Sequence, residues 1–305
     1  MKNMLSIDVE DYYHVSGLSS VIRRADWEIY PKRVVENTHK ILHLLDVHNT
    51  KATFFILGIV AESFPELVKA IHKAGHEIAS HGYGHQPVYE LTETQFQQDL
   101  QRSVYTLEGI TSEPIKGYRA PSFSIIETTR WALDVLLDLG FRYDSSIYPI
   151  QYDRYGWPNA QRFPHVVKSH GDDVLWEFPP CTIRALGRNI PIAGGGYFRF
   201  FPYRFTKACI QKLNAKELPA MVYLHPWEFD PDQPKFQPEF KNRIRHYLNL
   251  DKTESRFSEL LKDFTFTTIS DFATQLKSSK QSVNEVKSPI ADPGRRDASS
   301  CIPLL

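Results

Sequence analysis

The chain has 305 residues, 42% apolar and 24% charged, with 36 lysines and arginines balanced by 36 aspartates and glutamates. That fits a globular protein of one large domain or two small ones, and the zero formal charge argues against a nucleic-acid binder. No run of about 18 apolar residues occurs, so no membrane span is expected.

The N-terminal apolar stretch is short and meets acidic residues at once, unlike a signal peptide, which makes a cytoplasmic location the expectation. Cys181, Cys209 and Cys301 lack metal-type or redox-type spacing and are expected to stay reduced.

Met4 to Val9 reads as a buried strand. Residues 12 to 30 show no period. Pro31 to His48 has the apolar spacing of an amphipathic helix, with the proline near its first turn. Ala52 to Leu57 is β-branched and aromatic, hence strand. A helix from Ser63 to Ala74 is expected to stop at Gly75. His76 to Ser80 is the next strand, and it runs into Ser80-His81-Gly82-Tyr83-Gly84-His85. Helices over 92–108 and 128–139 alternate with short strands ending at Arg119 and Asp144.

Alternation of strand and helix predicts an α/β fold with a mainly parallel sheet, and at this length a barrel. Residues 145 to 205 interrupt the rhythm as a loop-rich excursion with one clear strand, Val174 to Phe178. It resumes with a helix over 203–216, a strand from Ala220 to His225, two helices over 237–250 and 254–261, a last strand over 264–269 and a short helix. Residues 1–276 are thus read as one domain, and 277–305, rich in Ser, Lys, Pro and Asp, as a disordered tail.

His81 and His85 stand four apart beside two glycines, so a tight loop can aim two imidazoles at one metal ion. Carboxylates at 8 to 11, Arg119, Asp144 and His225 all fall at strand ends. In parallel α/β folds the site lies at the C-terminal ends of the strands, so these groups are expected to converge.

Four segments occur in order: Ser6-Ile7-Asp8-Val9-Glu10-Asp11, Ser80-His81-Gly82-Tyr83-Gly84-His85, Tyr118-Arg119-Ala120-Pro121 and Tyr223-Leu224-His225-Pro226. Together they resemble the motifs of the NodB-type polysaccharide deacetylases, carbohydrate esterase family 4, over residues 3 to 275. The longer segments around Asp8, Arg119 and Asp144 resemble the subgroup associated with exosortase and exopolysaccharide gene clusters.

The resemblance implies an irregular (β/α)7 barrel and a metal-dependent hydrolase removing N-acetyl groups from N-acetylhexosamine units of an exopolysaccharide or its precursor. It implies a divalent ion, zinc first, held by His81, His85 and a carboxylate, with open positions for water. Asp8 becomes the general base, His225 the general acid and Arg119 the partner that keeps Asp8 ionised. Asp144 takes the place of the family aspartate that orients the acid histidine. Ser122 is expected to offer a backbone N–H to the oxyanion, and Tyr148, Trp157 and Trp227, with Tyr155, to form aromatic walls for a sugar ring. Gly194-Gly195-Gly196-Tyr197 is expected beside the cleft. The alternatives are a metal amidase acting on a small substrate and a carbohydrate-binding pseudoenzyme. The oligomeric state is open.

One departure from the family concerns the third ligand. The usual pattern has two adjacent aspartates, whereas here Val9 separates Asp8 from Glu10, and Asp11 follows. An extended strand through Glu10 would set Asp8 and Glu10 on one side, which favours Glu10. A bulge at Val9 would favour Asp11.

Overall fold

The computed structural model describes residues 1–152, 155–192 and 194–276. The tail expected beyond Lys277 lies outside the described residues. In chain order the first half comprises β1 (Lys2–Val9), α1 (Val34–Val47), β2 (Thr53–Ile56), α2 (Gly58–Ser63), α3 (Pro65–Lys73), β3 (Glu77–Ser80), α4 (Glu93–Thr111), β4 (Gly117–Tyr118), α5 (Ala132–Asp138) and β5 (Tyr143–Asp144). The second half comprises β6 (His165–His170), β7 (Asp173–Glu177), β8 (Thr182–Ala185), β9 (Arg188–Pro191), α6 (Gly195–Phe200), α7 (Tyr203–Asn214), β10 (Met221–Leu224), α8 (Phe240–Tyr247), α9 (Thr253–Asp263) and β11 (Thr265–Thr267). No helix among the described residues is long and apolar enough to cross a membrane.

Strands β10, β1, β2, β3, β4, β5 and β7 pair in that order, each parallel to the next. The chain leaving β7 closes the ring: the Cys181 N–H donates to the Met221 carbonyl on β10 at 3.0 Å. This is the α/β barrel that the alternation predicts. Side chains on a strand alternate between faces, and the core divides accordingly. Met4, Phe55, Ala79, Tyr143, Trp176 and Met221, from six strands, form one apolar cluster inside the barrel. Leu5, Ile7, Phe54, Ile56, Ile78, Val222 and Leu224 join the larger cluster under the helices. Counting in twos from Met4, Ala79 and Met221 places Asp8, His81 and His225 on the inner face at the C-terminal rim.

Three local expectations change. The helix expected from Ser63 starts at Pro65 as α3, after a break at Phe64 (φ −135°, ψ 61°), and a further short helix, α2, precedes it. The residue before a proline is sterically barred from helical geometry, and Pro65 opens α3. The helix expected from Thr128 starts at Ala132, after a 3-10 turn over Glu127–Thr129. The excursion holds more structure than one strand. β6 pairs antiparallel with β7, and β8 with β9. Leu186 and Gly187 turn the second hairpin with φ of 50° and 73°, a strained conformation for the leucine that its sequence does not advertise.

The start of α2 is tied to the histidine loop. Gly58 N–H donates to the Gly82 carbonyl and Ile59 N–H to the Tyr83 carbonyl, each at 2.9 Å. A Cβ on Gly58 would lie 2.4 Å from Tyr83 Cδ2 and 3.0 Å from its Cα. The second clash is with backbone, so the loop itself must shift. Gly58→Ala is therefore expected to cost about 1–3 kcal/mol, read as a lower midpoint in thermal denaturation. An unchanged midpoint would show that the loop yields freely.

Candidate active site

β1 stops at Val9, and the Glu10 N–H turns back to the Asp8 carbonyl at 2.9 Å, a three-residue turn centred on Val9. From this turn Glu10 Oε1 lies 2.8 Å from His81 Nε2 and 3.0 Å from His85 Nε2. Glu10, not Asp11, thus faces the histidines. The reason differs from the expected one: the strand does not stay extended through Glu10. Asp11 is occupied elsewhere. Its carboxylate accepts the N–H groups of Tyr12 (3.0 Å), Arg33 (2.6 Å) and Val34 (2.9 Å) and so caps the first turn of α1. Burial pushes the Asp11 carboxyl up to about 6, against the pull of those three N–H bonds.

The histidine loop is held by Asp99 on α4, whose carboxylate accepts the N–H groups of Tyr83 (2.7 Å) and Gly84 (3.2 Å). His85 adopts φ of 57°, a left-handed geometry that turns its ring back toward Glu10. His81 Nδ1 lies 2.8 Å from the Arg119 carbonyl. A carbonyl only accepts, so Nδ1 donates there, which fixes the ring and leaves Nε2 as the atom that faces the Glu10 carboxylate. Two imidazole nitrogens converging on one buried oxygen need positive charge between them. Burial works against the Glu10 charge, yet His85 and His81 hold its carboxyl well below the usual range. Glu10, His81 and His85, with ligand atoms within 4.8 Å of one another, therefore fit a divalent cation.

Beside this triad sits Asp8. Arg119, fully buried, donates to Asp8 Oδ1 at 2.6 Å, to Ser6 Oγ at 2.7 Å and to both the carbonyl (3.0 Å) and hydroxyl (2.7 Å) of Ser145. His225 Nε2 lies 3.7 Å from the other Asp8 oxygen. Its Nδ1 faces Glu228 Oε1 at 2.8 Å, and the same oxygen accepts the His225 backbone N–H at 3.0 Å. Arg199 Nε binds the second Glu228 oxygen at 2.6 Å and donates to the carbonyls of Arg245, His246 and Leu248. Burial opposes a charge on His225, but Glu228, Glu10 and Asp8 outweigh it and lift the imidazole to about 9.

Asp144 is a correction. It does not touch His225; it lies across the rim, accepting from Ser146 Oγ and paired in register with Glu177. Glu228 supplies the contact expected of Asp144. Sequence reasoning missed both Glu228 and Arg199, although a carboxylate three residues after a histidine at a predicted strand end was a usable signal.

The groups open into a cavity of about 460 Å³ lined by Asp8, Glu10, His81, His85, Ser122 and His225, with Trp227, Tyr152, Tyr155 and Tyr197 among its walls. Gly195 and Gly196 also border it, as expected of the glycine run. Ser122 stands on a backbone of φ 55° and meets the hydroxyl of Ser16 at 2.5 Å. Tyr148 and Trp157 are the other corrections. Tyr148 is fully buried beneath the floor with Phe123, Ile150 and Tyr223, and Trp157 packs against the main core. Neither lines the cavity. Trp227 does, stacked between His225 (5.3 Å) and His246 (4.4 Å).

Comparison with known proteins gives this geometry its family. Residues 27–143 match the family model described as polysaccharide deacetylase, and residues 145–274 match a domain of unknown function, DUF3473. A peptidoglycan-N-acetylglucosamine deacetylase of Bacillus cereus is 31% identical over 172 residues, 53% of this chain and 78% of that protein. The chain belongs to the polysaccharide deacetylase family. Other relatives match over shorter stretches. A second alignment to a Bacillus cereus deacetylase of that description is 37% identical over 33% of this chain and 37% of the relative. A Helicobacter pylori peptidoglycan deacetylase is 33% identical over 38% of this chain and 39% of its own. The chain thus spans under two fifths of the length of these two relatives.

Solved structures confirm the fold. A Mycobacterium smegmatis chain described as a candidate polysaccharide deacetylase superposes with a TM-score of 0.59 at 22% identity, covering 91% of this chain and 90% of that one. PuuE allantoinase gives 0.58 at 15% identity, covering 89% and 88%. The (β/α)7 barrel of the NodB type is thereby established for this family member. The two family models meet at Asp144: His81 and His85 lie in the first match, His225 and Glu228 in the second, and Asp8 and Glu10 precede both.

Proposed function

We propose that this protein is a metal-dependent N-deacetylase acting on N-acetylhexosamine units of an exopolysaccharide or its precursor. One observation carries the reading: a carboxylate–histidine–histidine triad, an arginine-held carboxylate and a glutamate-held histidine share one cavity. A divalent ion, zinc first among the candidates, fits Glu10, His81 and His85 and would supply Lewis acidity toward an acetyl carbonyl. Asp8, fixed by Arg119, takes the proton of the attacking water. His225, held as a cation by Glu228, gives its proton to the departing amine nitrogen, which leaves poorly unless protonated. The Ser122 backbone N–H is the candidate donor to the oxyanion. Trp227 and the tyrosines supply flat faces for a sugar ring.

The acetylated glycans named for its relatives support the substrate class, and the exopolysaccharide assignment rests on the subgroup resemblance. A cytoplasmic reaction, before export, is part of the same proposal; the buried free thiols of Cys181 and Cys209 are compatible with a reducing compartment. The test is acetate release from N-acetylglucosamine oligomers, with metal content measured on the same sample and small amides run in parallel. Turnover of small amides alone would point to a different amidase. A metal-free, inactive protein that binds glycans would make it a pseudoenzyme.

Glu228 offers a separate check. The general acid must be protonated, so the alkaline limb of the kcat/KM profile reports His225. Glu228→Gln removes a negative charge and is expected to move that limb to lower pH. A cation at the triad cancels part of the Glu10 contribution, so both limbs start below the metal-free value. The raised His225 pKa also favours folding, fully below the ordinary histidine value of about 6.5 and fading as pH rises through about 9. A limb that does not move in Glu228→Gln would remove Glu228 from this role.

A further inference from the structure

The outer lip of the cavity differs in character from its floor. α8 packs Asn242 and His246 inward, while Phe240 and Ile244, also one turn apart, point out and are 66% and 40% exposed. Helical residues four apart share a face, so α8 carries an apolar row on its solvent side. Phe200, at the end of α6, is 61% exposed and lines the same cavity as Phe240 and Ile244. Phe201 continues the patch, 5.2 Å from Phe200 and 4.7 Å from Phe205 by ring centroids. A run of exposed large apolar side chains at the rim of a site marks a surface that meets something else.

Charge indicates what. Lys241, Arg243 and Arg245 on α8 and Arg204 on α7 are exposed among these rings. Neither 195–214 nor 240–247 contains an aspartate or glutamate; Glu239, just before α8, is the nearest acid in sequence. Aromatic and aliphatic tips interleaved with cations suit the headgroup region of an anionic bilayer. A two-fold contact with a second copy would instead bring Lys241, Arg243 and Arg245 toward their own counterparts, a repulsive arrangement.

We propose that the lip formed by α8 and the α6–α7 corner seats on an anionic lipid surface, with the mouth of the cavity opening beside it. The docking does not depend on the chemistry proposed above. If both hold, the substrate is an acetylated glycan still carried on a lipid, presented with its sugar toward Asp8 and His225.

The test is co-sedimentation of the full chain with vesicles of equimolar phosphatidylglycerol and phosphatidylcholine, against phosphatidylcholine alone. Binding is expected to the anionic vesicles, to weaken with salt, and to fall roughly tenfold or more in Lys241→Gln/Arg243→Gln. Phe200→Ser/Phe240→Ser/Ile244→Ser should release the protein at least as fully, with circular dichroism confirming that each variant is folded. Failure of the unmodified protein to sediment, equal binding to neutral vesicles, or binding indifferent to both variants would overturn the proposal. So would a lip-dependent dimer in analytical ultracentrifugation without vesicle binding. Acetate release from a water-soluble oligomer, measured in parallel, separates the two readings. An active protein that ignores vesicles refutes the docking alone, and a vesicle-bound inactive one refutes the chemistry alone.

Discussion

His81→Ala, His85→Ala and Glu10→Gln are each expected to lose bound divalent metal and at least about 100-fold in acetate release, more than the loss typical of residues that merely support a metal ligand. The three groups share one convergence, Glu10 Oε1 within 3.0 Å of both imidazoles, so removing any one leaves two. Two ligands do not define a catalytic site of the three-ligand type. The fold should survive, because the triad sits at the rim, above the apolar layer that fills the barrel. Loss of a buried partner costs roughly 1–3 kcal/mol, which a thermal melt will show. Asp11→Asn is the control. It weakens the cap on α1 and should lower the melting midpoint while leaving metal in place. Metal analysis decides the matter: full occupancy in the three triad variants, or its loss in Asp11→Asn alone, would reverse the assignment.

Asp8→Asn and His225→Ala are expected to keep their metal and lose turnover on the order of 10²–10⁴-fold each. Their stabilities should differ, and the difference tests the geometry. Among the described residues Asp8 is the one carboxylate hydrogen-bonded to the fully buried Arg119, whose other hydrogen-bond partners are Ser6 and Ser145. Breaking a buried pair from one side typically costs about 3–5 kcal/mol, so Asp8→Asn should melt well below the parent protein. In His225→Ala, Glu228 still pairs with Arg199, and no charge is stranded. That variant should be inactive and lose less stability than Asp8→Asn, its loss being the contribution of charged His225, which fades as pH rises through about 9. Parental rates in either variant would exclude that residue from proton transfer. Equal melting midpoints in the two would show that Arg119 does not depend on Asp8.

Much of the fold was legible in the chain itself because the signals are local. Strands such as Thr53–Ile56 are short, β-branched and aromatic. α4 announces its start with Thr92 and Gln95, a reciprocal cap. The alternation of strand and helix then implies a parallel barrel, and the barrel implies that strand ends converge. What was not legible was irregular structure set by backbone sterics. α2 and α3 separate at a proline, and the β8–β9 hairpin turns on a leucine in a left-handed conformation.

The sequence by itself determined which residues reach the rim: Asp8, His81 and His225 follow from the two-residue period of strands that also carry Met4, Ala79 and Met221. Tertiary structure decided which of the neighbouring candidates does what. Glu10 and Asp11 are adjacent carboxylates. Only the approach of α1, with the N–H groups of Arg33 and Val34, binds Asp11 and leaves Glu10 to the histidines. Asp144 and Glu228 are both buried acids at the rim, and only the position of Arg199, 29 residues before Glu228 in the chain, turns Glu228 toward His225. Tyr148 and Trp227 are both aromatics near strand ends, yet one fills the floor and the other lines the cavity. Strand period and turn chemistry are properties of a few consecutive residues. The partner of a buried polar group is settled by competition among donors and acceptors that are far apart in the chain and meet only once it has folded.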